Sequence, residues 1–279
     1  MNVDKTLEEI FGDFKLEVFP FENLGFIVNF IDEDHVIRGS GFRQEQETAL
    51  NVAISEAVER YVFDVVSATK QHLTDQHPST CGFAAGVNAE KAQLRSYFEG
   101  FERWCFSQWI DNQYQLDEVV PGQLTSLTEQ LTTGFDKVVR YQKDFTALES
   151  GLLMPVSFGV TLLFKDEGVY AGSRVAVLGE DIWEHGAAEA WINHLNVHNN
   201  PRYKENDGLD LVERRVKYFA THAAEAVRQI KLANKKDWPL GKIEYHGEII
   251  ESPEPFFIYR TVYGGFVPWG VGPNDRFVY

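Results

Sequence analysis

The chain has 279 residues, 44% of them apolar and 14% aromatic, enough to bury a sizeable core, which excludes a disordered or low-complexity protein. Its 26 basic and 42 acidic residues leave a net charge of −16, which repels phosphate backbones and anionic bilayers and so excludes nucleic acid and membrane as main partners. Met1-Asn2-Val3-Asp4-Lys5 lacks signal-peptide order, Pro155 and Ser157 interrupt the longest apolar stretch, and Cys81 and Cys105 show no metal-ligand spacing, so one cytoplasmic domain over 1–279 with reduced thiols is expected.

In chain order, residues 16 to 40 alternate short apolar runs with turn signals and predict a strand or hairpin entry. From about Glu45 to Lys70, the apolar positions Leu50, Ile54, Val58, Val62 and Val65 recur at three- and four-residue intervals and predict an amphipathic helix. A turn-rich segment then passes through a glycine-bearing loop, Cys81 to Val87, to Asn88, an N-cap for a second helix ending near Ile110. Residues 136 to 177, rich in Val, Phe, Leu and Tyr with breaks at Glu149-Ser150-Gly151 and 165–168, predict several antiparallel strands. A third helix is expected from about Glu180 to Val197 and a long charged one from about Leu209 to Lys236, with Phe256 to Tyr263 returning to strand. The class is mixed α and β, with strands packed by helices.

The segment Glu56-Ala57-Val58-Glu59-Arg60-Tyr61-Val62-Phe63 recurs 43 residues later as Glu99-Gly100-Phe101-Glu102-Arg103-Trp104-Cys105-Phe106. Both read ExxER, aromatic, any residue, Phe, with an alanine seven residues before the first glutamate, Ala49 and Ala92. Positions i, i+3 and i+4 share a helix face, so each copy presents two carboxylates and one guanidinium. Two such faces together gather four carboxylates, an unfavourable arrangement unless a cation lies between them. Magnesium suits it, because it takes carboxylate oxygens and completes its shell with phosphates and water. Arg60 and Arg103 would neutralise the carboxylates or clamp phosphate oxygens. A single ExxER is more often a solvated, salt-bridged surface; the repetition with the same aromatic flanks is what argues for a site. On the third helix Glu189 and Asn193 share a face with His185, whereas His194 and His198 project from another sector, so these histidines do not converge as zinc ligands would.

These residues resemble the YcaO family. The family's basic glycine-containing turn and following helix are matched by Gly41-Phe42-Arg43-Gln44, Ala49 and Val52 to Arg60. Its glycine loop and E-x-x-E-R helix are similar to Cys81-Gly82-Phe83-Ala84-Ala85-Gly86 and Glu99 to Arg103, and its E-x-x-x-Q block to Glu189 to Asn193. The resemblance spans residues 39 to 198. It implies an enzyme with a carboxylate-lined nucleotide cleft that uses ATP and Mg2+ to activate a peptide backbone amide oxygen, leading to an azoline or a thioamide. Carried over, Glu56, Glu59, Glu99, Glu102 and Glu189 are the metal-site residues, and Arg43, Arg60, Arg103 and Asn193 join them at the nucleotide.

Arg43 stands where the family commonly has lysine, Gln44 replaces a glycine, Val52 a serine, Cys81 an asparagine, and Asn193 is one methylene shorter than glutamine. The resemblance leaves no room for an N-terminal peptide-recognition domain, so a separate partner is expected to supply recognition or a nucleophile. The rival reading is a YcaO-fold scaffold that has lost turnover. The charged helix from Leu209 to Lys236 reads as a wet face, with a homodimer interface as the alternative.

Overall fold

The computed structural model describes residues 3–205 and 208–277. In chain order the first elements are α1 (Val3–Phe11), β1 (Lys15–Phe21), β2 (Gly25–Ile31), β3 (Ile37–Arg43), α2 (Gln46–Ala68), β4 (Phe83–Gly86) and α3 (Ala89–Ile110). There follow β5 (Asp117–Glu118), α4 (Ser126–Thr132), β6 (Lys137–Phe145), α5 (Ala147–Ser150), β7 (Val156–Lys165), β8 (Gly168–Val177) and α6 (Trp183–Asn199). The last are α7 (Pro201–Glu205), α8 (Leu211–Phe219), α9 (Ala223–Leu232), β9 (Ile243–Glu248) and β10 (Phe257–Tyr263). Contacts group them into two compact units, residues 1–100 with 244–262 and residues 101–243 with 263–279. No described helix is long and apolar enough to cross a membrane.

The first unit holds two antiparallel sheets, ordered β1-β2-β3 and β4-β10-β9. Ala49, Ala53, Ala57, Val58 and Val62 of α2 share one core with Val28 and Phe30 of β2, Phe83 and Ala85 of β4 and Ile258 of β10. The alanines at four-residue spacing let the helix lie directly on β3. A Cβ on Gly41 would stand 2.0 Å from the Ala49 carbonyl oxygen, so only glycine permits this approach. Asn88 caps α3 as its position predicts, accepting from the Lys91 N–H at 2.9 Å.

The second unit is built on a four-stranded antiparallel meander, β5-β6-β7-β8. β7 is buried on both faces through Leu163, which explains its almost unbroken apolar sequence. Phe106 and Trp109 of α3 pack on one face against Phe158 and Tyr141. On the other face α6 sits over Gly159, Leu163, Tyr170 and Gly172.

Two expectations change. The loop through Phe83 to Gly86 is a strand, because β10 pairs with it from Phe257↔Gly86 to Arg260↔Phe83. The single helix from 209 to 236 is two, α8 and α9. The β7–β8 turn presses into the break: a Cβ on Gly168 would lie 2.3 Å from the Ala220 carbonyl oxygen, and the Ala223 N–H donates to Glu167. The N-terminal helix α1, with Leu7 and Phe11 buried, carried no motif that announced it.

Candidate functional site: carboxylates on strand edges

In the first unit, β3 and β4 end their sheets and present backbone groups that no strand answers. α2 answers them with the first ExxER copy. Glu56 accepts from the Ser40 N–H of β3 at 2.7 Å and pairs with Arg60 at 2.5 Å. Arg60 also reaches the Ile37 carbonyl at 3.5 Å. One turn on, Glu59 accepts from the Ala85 N–H of β4 at 2.7 Å, while Arg95 of α3 donates to the Ala85 carbonyl at 3.0 Å and pairs with Glu59 at 3.5 Å. Ala85 is thus met on both its backbone groups, its N–H by Glu59 and its carbonyl by Arg95. Burial pushes the Glu59 carboxyl up to about 8; Arg95 opposes that rise, the charges of Glu99 and Glu56 add to it, and the Ala85 bond offsets part of it.

In the second unit β8 is the sheet edge, and Ala171, Ser173 and Val175 turn their backbone outward at alternate positions. Asn193 donates to the Ala171 carbonyl at 3.1 Å, Glu189 accepts from the Ser173 N–H at 2.9 Å, and Glu102 accepts from the Val175 N–H at 3.1 Å. Glu102 also accepts from the Ser173 hydroxyl at 2.9 Å. Arg103 stands 3.3 Å from Glu102 and lies over the Trp269 ring at 4.0 Å. The second ExxER copy therefore repeats the strand-edge role of the first, with Glu102 in the place of Glu59.

No protein-family sequence model matches the chain, and no curated protein matches it by sequence. Its structure is similar to YcaO from Methanopyrus kandleri bound with AMPPCP and Mg2+, at TM-score 0.60 and 16% identity over 98% of this chain and 91% of that one. It is similar also to a chain of the E. coli microcin synthetase complex McbBCD, at TM-score 0.64 and 12% identity over 90% of this chain and 87% of that one. The chain has the YcaO fold. A heterocyclase in complex with substrate and cofactor shares it too, at TM-score 0.55 and 12% identity; there 97% of this chain spans 53% of the other.

Within this YcaO fold the residues divide into two sets, Glu56, Glu59, Glu99 and Arg60 in the first unit and Glu102, Arg103, Glu189 and Asn193 in the second. Glu59 senses both Glu56 and Glu99, so two carboxylates of the first set act on a third. Hard oxygen donors of this kind suit Mg2+, which in turn takes phosphate oxygens. Among the described residues no group of three or more His, Cys, Asp or Glu side chains stands ready as a metal cage. Two cavities, of about 320 and 300 Å3, are lined by other residues. The donor set thus fits the metal in chemistry, with Glu56, Glu59, Glu102 and Glu189 each already holding a protein bond.

Arg43 closes β3, with one guanidinium nitrogen 2.6 Å from the Phe42 carbonyl. Val52 is half-buried on α2, where a Cβ on Gly41 would meet its own Cβ at 2.9 Å. Ser173 and Arg95 went unseen in the sequence although they tie the carboxylates down. The one available signal was a buried serine inside the apolar run of β8.

Proposed function

We propose that the chain binds ATP with Mg2+ and uses it to activate a backbone amide oxygen of a peptide, toward an azoline or a thioamide. What carries this reading is the crowding of Glu56 and Glu99 on the buried Glu59, in a fold shared with a YcaO bound with AMPPCP and Mg2+. A buried carboxyl among like charges is relieved by a divalent cation, and a nucleotide's phosphates complete that cation's shell.

In this reading Glu56, Glu59, Glu99, Glu102 and Glu189 hold the metal, and Arg43, Arg60, Arg103 and Asn193 orient the carboxylates and the phosphates. When bound, ATP supplies the phosphoryl group that turns an amide oxygen into a leaving group. Such chemistry rests on positioning and charge, and no Ser, Cys or His nucleophile is required of the chain. The substrate is a peptide, and a separate protein brings recognition or a nucleophile, in keeping with the heterocyclase and microcin synthetase neighbours.

One observation favours the second reading, a scaffold without turnover: Glu56, Glu59, Glu102 and Glu189 each serve a strand-edge N–H, a structural task independent of any nucleotide. Thermal melting separates these readings from a plain globular protein. MgATP at millimolar concentration is expected to raise the midpoint, because a ligand of the folded state stabilises it by mass action. No rise ends the nucleotide reading. ADP release with a peptide, abolished by Glu99→Gln, supports the enzyme, and binding without release supports the scaffold.

A further inference from the structure

Arginines that this protein shields from water are met by carbonyls or carboxylates. Arg215 and Arg260 have no exposed surface, and each donates to three backbone carbonyls: Trp269, Val271 and Pro273 for the first, His72, His77 and Ser79 for the second. Arg276 pairs with Asp111.

Arg140 of β6 departs from this pattern. It is half-buried and its Nε is closed off from solvent, as is the Nε of Arg260, but among the described residues no carbonyl or carboxylate accepts from any part of its guanidinium. Burial holds its pKa below the usual arginine value, and no carboxylate contributes to the shift. In a chain of net charge −16, a guanidinium with no acidic partner among the described residues calls for an explanation.

Thr161 stands directly across from Arg140 in the β6–β7 register. Cross-strand partners share a face, with Cβ atoms roughly 4.5–5.5 Å apart. Thr161 has no exposed surface, and its hydroxyl also lacks a partner among the described residues. The next residue in the row, on β8, is Gly172, which adds no side chain. A charged donor and a hydroxyl thus share one face of the sheet, and among the described residues neither atom has a partner. A water would satisfy both atoms but not the charge. A small oxyanion does both, giving one oxygen to the guanidinium and another to the hydroxyl.

We propose that Arg140 and Thr161 form a binding site for a small oxyanion, a carboxylate group or inorganic phosphate, separate from the glutamate sets and independent of the nucleotide reading. The test is thermal melting at fixed ionic strength, with acetate in one arm and phosphate in the other replacing chloride. The parent is expected to show a saturable rise in midpoint in at least one arm, which identifies the source. Arg140→Gln is expected to abolish it, leaving only the shallow, unsaturable effect of bulk salt. Thr161→Val is expected to shift the half-saturating concentration at least tenfold. Equal responses from parent and Arg140→Gln, or no saturable rise in either arm, overturn the proposal. If Arg140→Gln does not fold, Arg140→Lys keeps the charge without the planar fork; an unshifted dose response in Arg140→Lys and Thr161→Val then overturns it equally.

Discussion

Glu102 of α3 and Glu189 of α6 meet on Ser173 of β8, whose hydroxyl donates to Glu102 and whose backbone N–H donates to Glu189, both at 2.9 Å. The two carboxylates, read from the sequence as metal ligands, are thereby fixed to the outer edge of a sheet. Each closes a backbone group that would otherwise stand unpaired in a buried place.

Glu102→Ala is accordingly expected to destabilise the protein strongly. It strips the acceptor from the Val175 N–H and the Ser173 hydroxyl, and a buried donor left unmet costs about 1–3 kcal/mol. Glu102→Gln keeps an oxygen for Val175, and the Ser173 hydroxyl can turn to accept from the new amide, so it is expected to lose less than half as much. Urea unfolding measures both. An alanine variant with the parent's midpoint would show that the edge needs no cap.

Glu59 sets a pH dependence for the metal-free protein. Its carboxyl is raised by burial from 4.5 to about 8, so between those values the folded chain holds a proton that the unfolded chain has released. Stability then falls as pH rises through this window, and is fully present below it. Glu59→Gln keeps an oxygen for the Ala85 N–H and removes the titration. Its stability is expected to vary less between pH 5 and about 8, and to exceed the parent's at the upper end by an amount on the order of a few kcal/mol. Denaturant midpoints across that range decide it; parallel curves for the two proteins would exclude Glu59 as the titrating group.

The elements that were legible in the sequence are those whose order is local. α2 shows its helix through apolar spacing, and α3 through Asn88 and the ExxER copy. β4 did not, because Phe83 to Gly86 becomes a strand only by pairing with β10. The break between α8 and α9 contains no proline or glycine and is imposed by Gly168 approaching Ala220. The same division runs through the site. The repeat drew attention to Glu56, Glu59 and Glu102, whereas their task as acceptors depends on β3, β4 and β8 lying at sheet edges, and sheet order is a tertiary property.

Gly172→Ala is expected to damage the second set from a distance. The added Cβ would fall 2.1 Å from the Gly186 carbonyl oxygen and 2.8 Å from the Ala190 nitrogen, both backbone atoms of α6. The helix must lift, and overpacking of this kind costs about 1–3 kcal/mol or more. Lifting α6 pulls Glu189 from Ser173 and Asn193 from Ala171. Hydrogen exchange at the Ser173 amide should therefore quicken beyond the change at Leu162, on the far side of the same strand pair. Equal acceleration at both positions would mean a general loss of stability and no specific lifting.

Glu56→Gln separates structure from ligand binding most cleanly. The Glu56 side chain is 33% exposed and its partner Arg60 45%, so their ion pair, four apart on one helix, is worth only about 0.3–0.5 kcal/mol. The amide oxygen still accepts from the Ser40 N–H, and the unfolding midpoint is expected to stay within about 1 kcal/mol of the parent. Removing a metal-holding carboxylate, in contrast, is expected to weaken MgATP binding at least tenfold, about 1.4 kcal/mol. Calorimetric titration beside denaturant unfolding reads the two quantities independently. Unchanged stability with lost affinity places Glu56 at the nucleotide; unchanged affinity reduces it to a cap on β3 and leaves any metal to Glu59 and Glu99.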